Sequence, residues 1–311
     1  HTQVVGQPHA EVMALRDAQA RGGDVRGGTA YVTLEPCSHH GRTPPCCDAL
    51  VAAGLAEVVI STLDPNPLVS GQGAERLRAA GLRVQVMPVN SPESMAAREL
   101  NIGFFSRMVR GRPWVRLKMA ASLDGISALP NGVSQWITGE AARADGHAWR
   151  ARACAVLTGV GTVRQDNPRL DVRAMATTRQ PHLYVVDSRF ETPSCAALLQ
   201  PLANGQPRAG HIVGTEAHAH AHPERLAALK SAGAQTVTMK ADHTQVKVDL
   251  AELMAHLARS DVNELHVEAG HGLNASLFRG GWVDECLIYL APQLLGQGAG
   301  MASLGPLSLI Q

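Results

Sequence analysis

From residue 28 onward, short apolar runs alternate with stretches in which apolar positions recur every three or four residues. TAYVTLEP, AEVVIST and LRVQVMP have the length and β-branched content of strands, and PPCCDALVAAG and GAERLRAAG between them carry helical periodicity. That alternation predicts an α/β unit wound on a mostly parallel sheet. Gly54 and Gly81 stand just past the last periodic residue of each helix, where a left-handed cap favours glycine. A further helix opens with Ser91 as N-cap and Pro92 in the first turn, and runs through ESMAARELNIGFFSRMV. The tetrapeptide RGRP at 110–113 then marks a boundary, because the pattern starts afresh with the strand PWVRLKMAAS and a helix from Thr138 through GEAARADGHAWRA. The strands ACAVLTGV, HLYVVDS, GHIVGT, QTVTMK, ELHVEAG and WVDECLIYLAP follow, with PERLAALKSAG and DLAELMAHLA as helices. Two α/β domains are expected, over residues 1–109 and 113–311. No internal repeat of fixed period occurs, and HAHAH at 218–222 is expected as an exposed loop.

Composition narrows the classes. A chain of 311 residues can bury two cores of ordinary size. With 45% hydrophobic and 18% charged residues it is globular in composition. The formal net charge of +1, without a run of lysine or arginine, argues against a nucleic-acid surface. No apolar run reaches the roughly 20 residues that span a bilayer, and HTQVVGQPHA is not a secretory signal, so a cytoplasmic location is expected. Six cysteines, two of them adjacent, do not suggest a disulfide framework in a chain of this length.

Three of those cysteines fall in one stretch, LEPCSHHGRTPPCC at 34–47. Cys37 ends a strand and Cys46 opens a helix, with Thr43 expected as N-cap and Pro44 and Pro45 in the first turn. The positive end of a helix favours a thiolate, the metal-binding form. Upstream, PHAEV places His9 and Glu11 at the mouth of the helix EVMALRDAQA. Residues two apart on a helix point about 200° apart, so the pair is unsuited to gripping one ion side by side. His9 is expected as a ligand and Glu11 as a proton carrier reaching a metal-bound water. One imidazole, two thiolates and an open fourth position describe a catalytic zinc, which brings the pKa of its water to about 7. H-x-E followed by P-C-x-x-C marks zinc deaminases; here the second half is spaced as P-C-x8-C. Cys37 and Cys46 could instead be small core residues, although the upstream HAE and the prolines weigh against that. Cys47, Cys154, Cys195 and Cys286 are read as packing. His39 and His40 offer alternative nitrogens, but loop histidines are more often solvated.

PHAEV, EPCSHHGRTPPC and DPNP together resemble the deaminase domain of the RibD family of bifunctional riboflavin-biosynthesis enzymes. The resemblance implies a cytidine-deaminase-like three-layer α/β/α domain with His9, Cys37 and Cys46 as zinc ligands, Glu11 as general acid and base, and Arg42 as a contact for the substrate phosphate. It also implies a strand, helix and strand before PHAEV, where only eight residues precede His9 in this chain.

In the second half, TGVGTV at 158–163 lacks the third glycine of a dinucleotide fingerprint. The turns GVGT and EAGHGLNAS nevertheless follow strands and free backbone amides at helix starts, a cradle for phosphate, although ordinary tight turns are an equal reading. LKMAASLDG, SQWIT, the segment from TGVGTV to RQDNPRLDVR, VVDS, VEAG and LAPQLLG occur in the order of the RibD reductase domain, which is similar to dihydrofolate reductase in fold. By that resemblance Ala120, Trp136, Thr162, Asp166, Ser188, Gly270, His271, Gly272, Leu273, Asn274, Ala275 and Ser276 hold NADPH. Ser134, Arg150, Leu170, Arg173 and Glu268 hold the phosphoribosylamino-pyrimidine. Arg150 and Arg173 suit a sugar phosphate on chemical grounds. Lys118 and Asp124 are expected near the reacting sugar carbon.

The expected function has two steps: zinc-dependent hydrolysis of a ring amine in 2,5-diamino-6-(5-phosphoribosylamino)pyrimidin-4(3H)-one, then NADPH-dependent reduction of the ribosyl group to ribityl. The expected partners are these small molecules and, in a homo-oligomer of two or four copies, the chain itself. A deaminase acting on a base in nucleic acid is the alternative; it would want a basic, aromatic-lined channel, and only four tryptophans, three tyrosines and four phenylalanines are present. A zinc-stabilised binding module, in which Glu11 has no part in turnover, is the third.

Overall fold

The computed structural model describes residues 6–41, 43–134, 137–203 and 205–304. Chain contacts divide it into two units, His1–Arg110 and Gly111–Gln311.

In the first unit the elements run α1 (Ala10–Ala20), β1 (Thr29–Val32), α2 (Cys46–Ala52), β2 (Glu57–Ile60), α3 (Gln72–Ala79), β3 (Arg83–Val86), α4 (Pro92–Leu100) and α5 (Ile102–Arg110). The strands form a parallel sheet in the order β1-β2-β3, with Val58 and Ile60 of the central strand fully buried. Against them pack Cys47 and Leu50 of α2, Ala74 and Leu77 of α3, and Leu15 of α1. α2 and α3 each bury one stripe, which is why their 3.6-residue period was visible in the sequence.

Two expectations fail here. Thr43 does not cap α2: the cap position is Pro45, its side chain makes no capping bond, and both prolines precede the first turn. The helix expected from Ser91 through Val109 is two helices. Ser91 does cap the first, accepting from Ser94 N–H at 3.1 Å, but the chain breaks at Asn101, whose side-chain amide donates to the Ala97 carbonyl at 2.9 Å. An asparagine amide competes with the next backbone N–H for that acceptor, and the periodicity continues unchanged across the break.

In the second unit the order is β4 (Trp114–Ser122), β5 (Ile126–Ala128), α6 (Glu140–Arg152), β6 (Ala155–Gly159), α7 (Val160–Asp166), β7 (His182–Val186), β8 (Gly210–Thr215), α8 (Glu216–Ala221), α9 (Pro223–Ser231), β9 (Gln235–Met239), α10 (Leu250–Arg259), β10 (Glu264–Val267), α11 (His271–Arg279), β11 (Glu285–Ala291) and β12 (Ala299–Gly300). Seven strands make one sheet in the order β11-β4-β10-β6-β7-β8-β9, every pairing parallel. Alternate residues feed opposite cores. Leu157, Tyr184 and Val213 join Leu253, Leu257 and Leu277 from α10 and α11 on one face. Val156, Leu183, Val185 and Ile212 join Leu229 of α9 and Val163 of α7 on the other. Helices on both faces are what an all-parallel sheet requires. Strands β5 and β12 form a separate antiparallel pair.

Under α6 the sheet carries charges. Arg116 of β4, 3% exposed, pairs with Glu264 and Glu285 at 2.9 Å each and lies 4.2 Å from the Trp149 ring centre. Arg152 of α6 also reaches Glu264, at 2.8 Å. HAHAH, expected as a loop, is largely the helix α8, capped by Thr215, whose hydroxyl accepts from His218 N–H. Cys47 is buried and Cys154 packs against the core, as read, whereas Cys195 and Cys286 are exposed.

Candidate active sites

Cys37 follows β1 after the loop LEP, and Cys46 is the first residue of α2. His9 is the N-cap of α1. The fold thus brings two helix starts and a strand exit together, and the donor atoms of His9, Cys37 and Cys46 all lie within 4.8 Å of one another. His9 Nδ1 stands 3.3 Å from Cys46 Sγ and 3.6 Å from Cys37 Sγ. For a tetrahedral zinc with Zn–S about 2.3 Å and Zn–N about 2.0 Å, the edge between an S and an N ligand is about 3.5 Å, so this donor set fits that ion. Glu11, in the first turn of α1, comes close enough to Cys46 to act on its thiol.

The two thiols are a tightly coupled pair, pushed in opposite directions. The Cys46 thiol, the Cys46 backbone N–H at 3.2 Å and the His9 ring hold Cys37 down to about 5 against the effect of burial. The hydrogen bond to Cys37, burial and the Glu11 carboxylate hold Cys46 far above the ordinary thiol range. A divalent cation entering this site would take both sulfurs as thiolates. Cys47, one residue on, points the other way: its thiol donates to the Pro36 and Gly73 carbonyls, and burial pushes it up to about 12.

Glu35, which sequence reasoning missed, fixes this arrangement. It is 4% exposed and its carboxylate accepts from the backbone N–H of Asp64 (3.1 Å), Gly71 (2.9 Å) and Ala74 (3.0 Å). It therefore ties the segment before Cys37 to the DPNP loop and to the start of α3. Gly73 makes the approach possible, since a Cβ there would sit 2.1 Å from the Pro36 carbonyl oxygen. Arg76 of α3 adds an ion pair to Asp48 at 2.6 Å. His39 and His40 are exposed and take no part in the three-residue cluster. Arg42 lies outside the described residues.

In the second unit a cavity of about 1170 Å³ opens at the carboxyl ends of the parallel strands, the usual place for a ligand in such a sheet. Of the residues singled out, Ala120, Ser134, Thr162, Asp166, Leu170, Ser188, Glu268, Gly270, His271, Gly272, Leu273, Asn274 and Ser276 line it, with Lys118. The two glycine turns are both helix starts: Gly159 is the N-cap of α7 and Gly270 that of α11, so unpaired amides face the cavity from two sides. A cavity of this size with two such cradles suits a dinucleotide. Asn274 is 2% exposed, donates to the Met301 carbonyl at 2.8 Å, and keeps a side-chain oxygen without a partner. Ser134 donates to Asp166 at 3.1 Å, tying two of the lining residues together. Leu170 holds a left-handed backbone with φ of 52° and is nearly buried.

Other residues stand apart from that lining. Ala275, on α11, is buried. Arg150 is nearly buried, and its fork is engaged by Glu268 (2.7 and 2.9 Å) and the Asp171 carbonyl (2.6 Å). It orients Glu268 rather than presenting free donors. Arg150 and the neighbouring His266 hold the Glu268 carboxyl well below its usual range, against burial. Arg173 is half exposed, pairs with Asp171 at 2.6 Å, and borders a second cavity of about 450 Å³. The Asp124 carboxylate accepts from Ser122 and from the backbone N–H of Leu295 and Gly296, which anchors the loop after β11. Trp136 lies outside the described residues.

Comparison with known proteins agrees with both halves. The cytidine and deoxycytidylate deaminase zinc-binding region matches residues 1–62, and the RibD C-terminal domain matches residues 113–309. The riboflavin biosynthesis protein RibD of Escherichia coli is 42% identical over 97% of this chain and 80% of its own length, and that of Aquifex aeolicus is 40% identical over 96% and 78%. Among solved structures, Acinetobacter baumannii RibD superposes with a TM-score of 0.81 at 37% identity, covering 98% of this chain and 80% of that one. The Thermotoga maritima diaminohydroxyphosphoribosylaminopyrimidine deaminase/5-amino-6-(5-phosphoribosylamino)uracil reductase gives 0.78 at 28% identity, over 98% and 79%. Among the described residues no helix is long and apolar enough to cross a membrane.

Proposed function

The chain belongs to the RibD family, the bifunctional deaminase–reductases of riboflavin biosynthesis, and from that premise we propose how its own residues divide the work. A cytidine-deaminase-like α/β unit carries the hydrolytic step and a dihydrofolate-reductase-like α/β unit the reductive one. The substrate is 2,5-diamino-6-(5-phosphoribosylamino)pyrimidin-4(3H)-one, which loses its ring amine as ammonia. The resulting 5-amino-6-(5-phosphoribosylamino)uracil then has its ribosyl group reduced to ribityl.

His9, Cys37 and Cys46 hold the zinc, which when bound supplies a water acidic enough to ionise near neutrality. Glu11, on the first turn of α1 beside Cys46, takes the proton from that water and passes it to the departing amine. The single observation carrying this assignment is the convergence of one imidazole and two thiols at tetrahedral-edge distances with a carboxylate beside them. Arg42 contacts the substrate phosphate.

In the second unit the amides at the starts of α7 and α11 cradle the diphosphate of NADPH, with Ala120, Thr162, Asp166, Ser188, Gly270–Asn274 and Ser276 as its surroundings. NADPH supplies hydride to the sugar carbon. Lys118 on β4 and Glu268, the residue just past the end of the adjacent β10, line the same cavity, which suits them to move a proton as the sugar ring opens. Ser134 and Leu170 shape the pyrimidine end, and Arg150 acts through Glu268. The exposed row Cys286, Ile288 and Leu290 on edge strand β11 supports assembly into a homo-oligomer of two or four copies. The reduced cysteines are in keeping with a cytoplasmic enzyme.

A nucleic-acid substrate is not favoured, because most of the chain beyond residue 113 matches a reductase domain. The test is direct. With the diaminopyrimidine substrate alone the zinc-loaded protein should release ammonia, and with the deaminated compound it should oxidise NADPH. Release of ammonia without pyrimidine-dependent NADPH oxidation would remove the reductive half of the proposal.

A further inference from the structure

One end of the large cavity carries charges that the chemistry above does not use. It lies where β7 ends in Val186-Asp187-Ser188-Arg189 and where the loop between β9 and α10 contributes Asp242 to Leu250. The two segments touch: Ser188 Oγ accepts from Val248 N–H at 3.0 Å, which leaves the hydroxyl proton to donate elsewhere.

In many nucleotide-binding sheets an acid near a strand end binds the adenosine 2′-hydroxyl and selects the unphosphorylated dinucleotide. Asp187 stands at such a place but cannot do this. It is 1% exposed, and its carboxylate accepts from Thr192 N–H (2.6 Å) and Thr192 Oγ1 (2.7 Å). The other acids at this end are engaged too. Glu191 pairs with Arg164 at 3.2 Å and with Arg225 at 3.8 Å. Asp242 accepts from Thr244 and from Lys247 N–H. Asp249 caps α10, accepting from Ala251 and Glu252 N–H. Two bases remain. Arg189 and Lys247 are exposed and line the cavity, and among the described residues neither side chain forms an ion pair.

We propose that Arg189, assisted by Lys247 and the Ser188 hydroxyl, reads the 2′-phosphate of a phosphorylated nicotinamide dinucleotide, and that this pair sets the choice of NADPH over NADH. The proposal rests on the reductase reading of this cavity and adds the residues that discriminate. A guanidinium fork matches a phosphate in geometry and charge, whereas an unphosphorylated ribose offers it no anion. Both side chains lie on the surface, so replacing them leaves the cores intact.

Binding separates this from activity. Isothermal titration of the purified full chain with 2′,5′-ADP, ADP, NADPH and NADH gives four dissociation constants. R189Q is expected to weaken 2′,5′-ADP and NADPH by about ten- to a hundred-fold, the range of one charge-assisted pair, and to leave ADP and NADH within about two-fold. K247Q should act in the same direction with a smaller effect, and the double variant should bind NADPH and NADH almost equally. Equal weakening of all four ligands by R189Q, or unchanged discrimination in the double variant, would overturn the assignment. A wild-type chain that bound none of the four would overturn the reductase reading and this assignment with it.

Discussion

Gly73→Ala probes the contact on which the proposed metal site depends. An added methyl would sit 2.1 Å from the Pro36 carbonyl oxygen and 3.1 Å from two Glu35 side-chain atoms. That is more than about 1 Å inside any attractive separation, and the obstacle is backbone, which cannot swing away. Relief requires α3 to retreat from the Glu35-Pro36-Cys37 segment. Retreat stretches the hydrogen bonds from Gly71 and Ala74 to the Glu35 carboxylate, now 2.9 and 3.0 Å. Overpacking at a tight site costs about 1–3 kcal/mol, and weakening two charge-assisted hydrogen bonds adds about as much again, so a loss of roughly 3–5 kcal/mol is expected. For a unit of this size that lowers its melting temperature by about 15 °C. Because the strain lands one residue from Cys37, zinc content should fall and ammonia release with it. NADPH oxidation on deaminated substrate, carried by the other unit, should stay at the wild-type rate. Calorimetry with metal analysis checks this. A Gly73→Ala protein with wild-type melting and full zinc would show that the close approach of α3 does not hold the site, and the reasoning about Glu35 and Gly73 would fall.

Other outcomes follow from the same geometry. Cys37→Ser should lose stoichiometric zinc and ammonia release while keeping NADPH oxidation, as read by metal analysis and two rate assays. Glu268→Gln leaves Arg150 buried without its counter-charge, which should cost roughly 3–5 kcal/mol in the reductase unit by denaturant titration and abolish NADPH oxidation. His147 and His211 are both held near 4, chiefly by burial, below the ordinary histidine value of 6.5. The unfolded chain therefore binds protons that the folded one refuses. Their contribution is intact above pH 6.5 and lost as pH falls toward 4, by roughly 3 kcal/mol in total after allowing for residual water contact. Melting of the reductase unit followed across that window tests it, and a flat profile would contradict the burial of these rings. Gly146→Ala, in mid-α6 with open space around the added methyl, should raise stability by about 1 kcal/mol.

The contrast between Cys37 and Glu35 explains what could be read from the chain. The grouping of Cys37, Cys46 and His9 was legible because ligand chemistry needs rare residue types where strands end and helices start, and such ends show in local pattern. Glu35 stands two residues from Cys37 but acts through backbone N–H groups at positions 64, 71 and 74, which carry no side-chain signal. Gly73 opens the helical stretch GAERLRAAG, and nothing local reveals a carbonyl from another segment above it. Strand positions were legible because alternate residues of β6, β7 and β8 feed two cores, leaving continuous apolar runs. The break at Asn101 was not, because one side-chain hydrogen bond ends α4 without disturbing the apolar period. Arg150 looked like a phosphate ligand by residue type; its bond to Glu268, 118 positions away, is a tertiary fact.

The most direct measurement is product analysis for Glu11→Gln beside wild type, each supplied with the diaminopyrimidine and NADPH. Wild type should form the ribityl product through the deaminated intermediate. Glu11→Gln should keep its zinc, leave the diaminopyrimidine almost untouched with a rate lower by about 10²–10⁴-fold, and still reduce the deaminated compound at the wild-type rate. A Glu11→Gln protein that releases ammonia from the diaminopyrimidine as fast as wild type would contradict the assignment of the hydrolytic site.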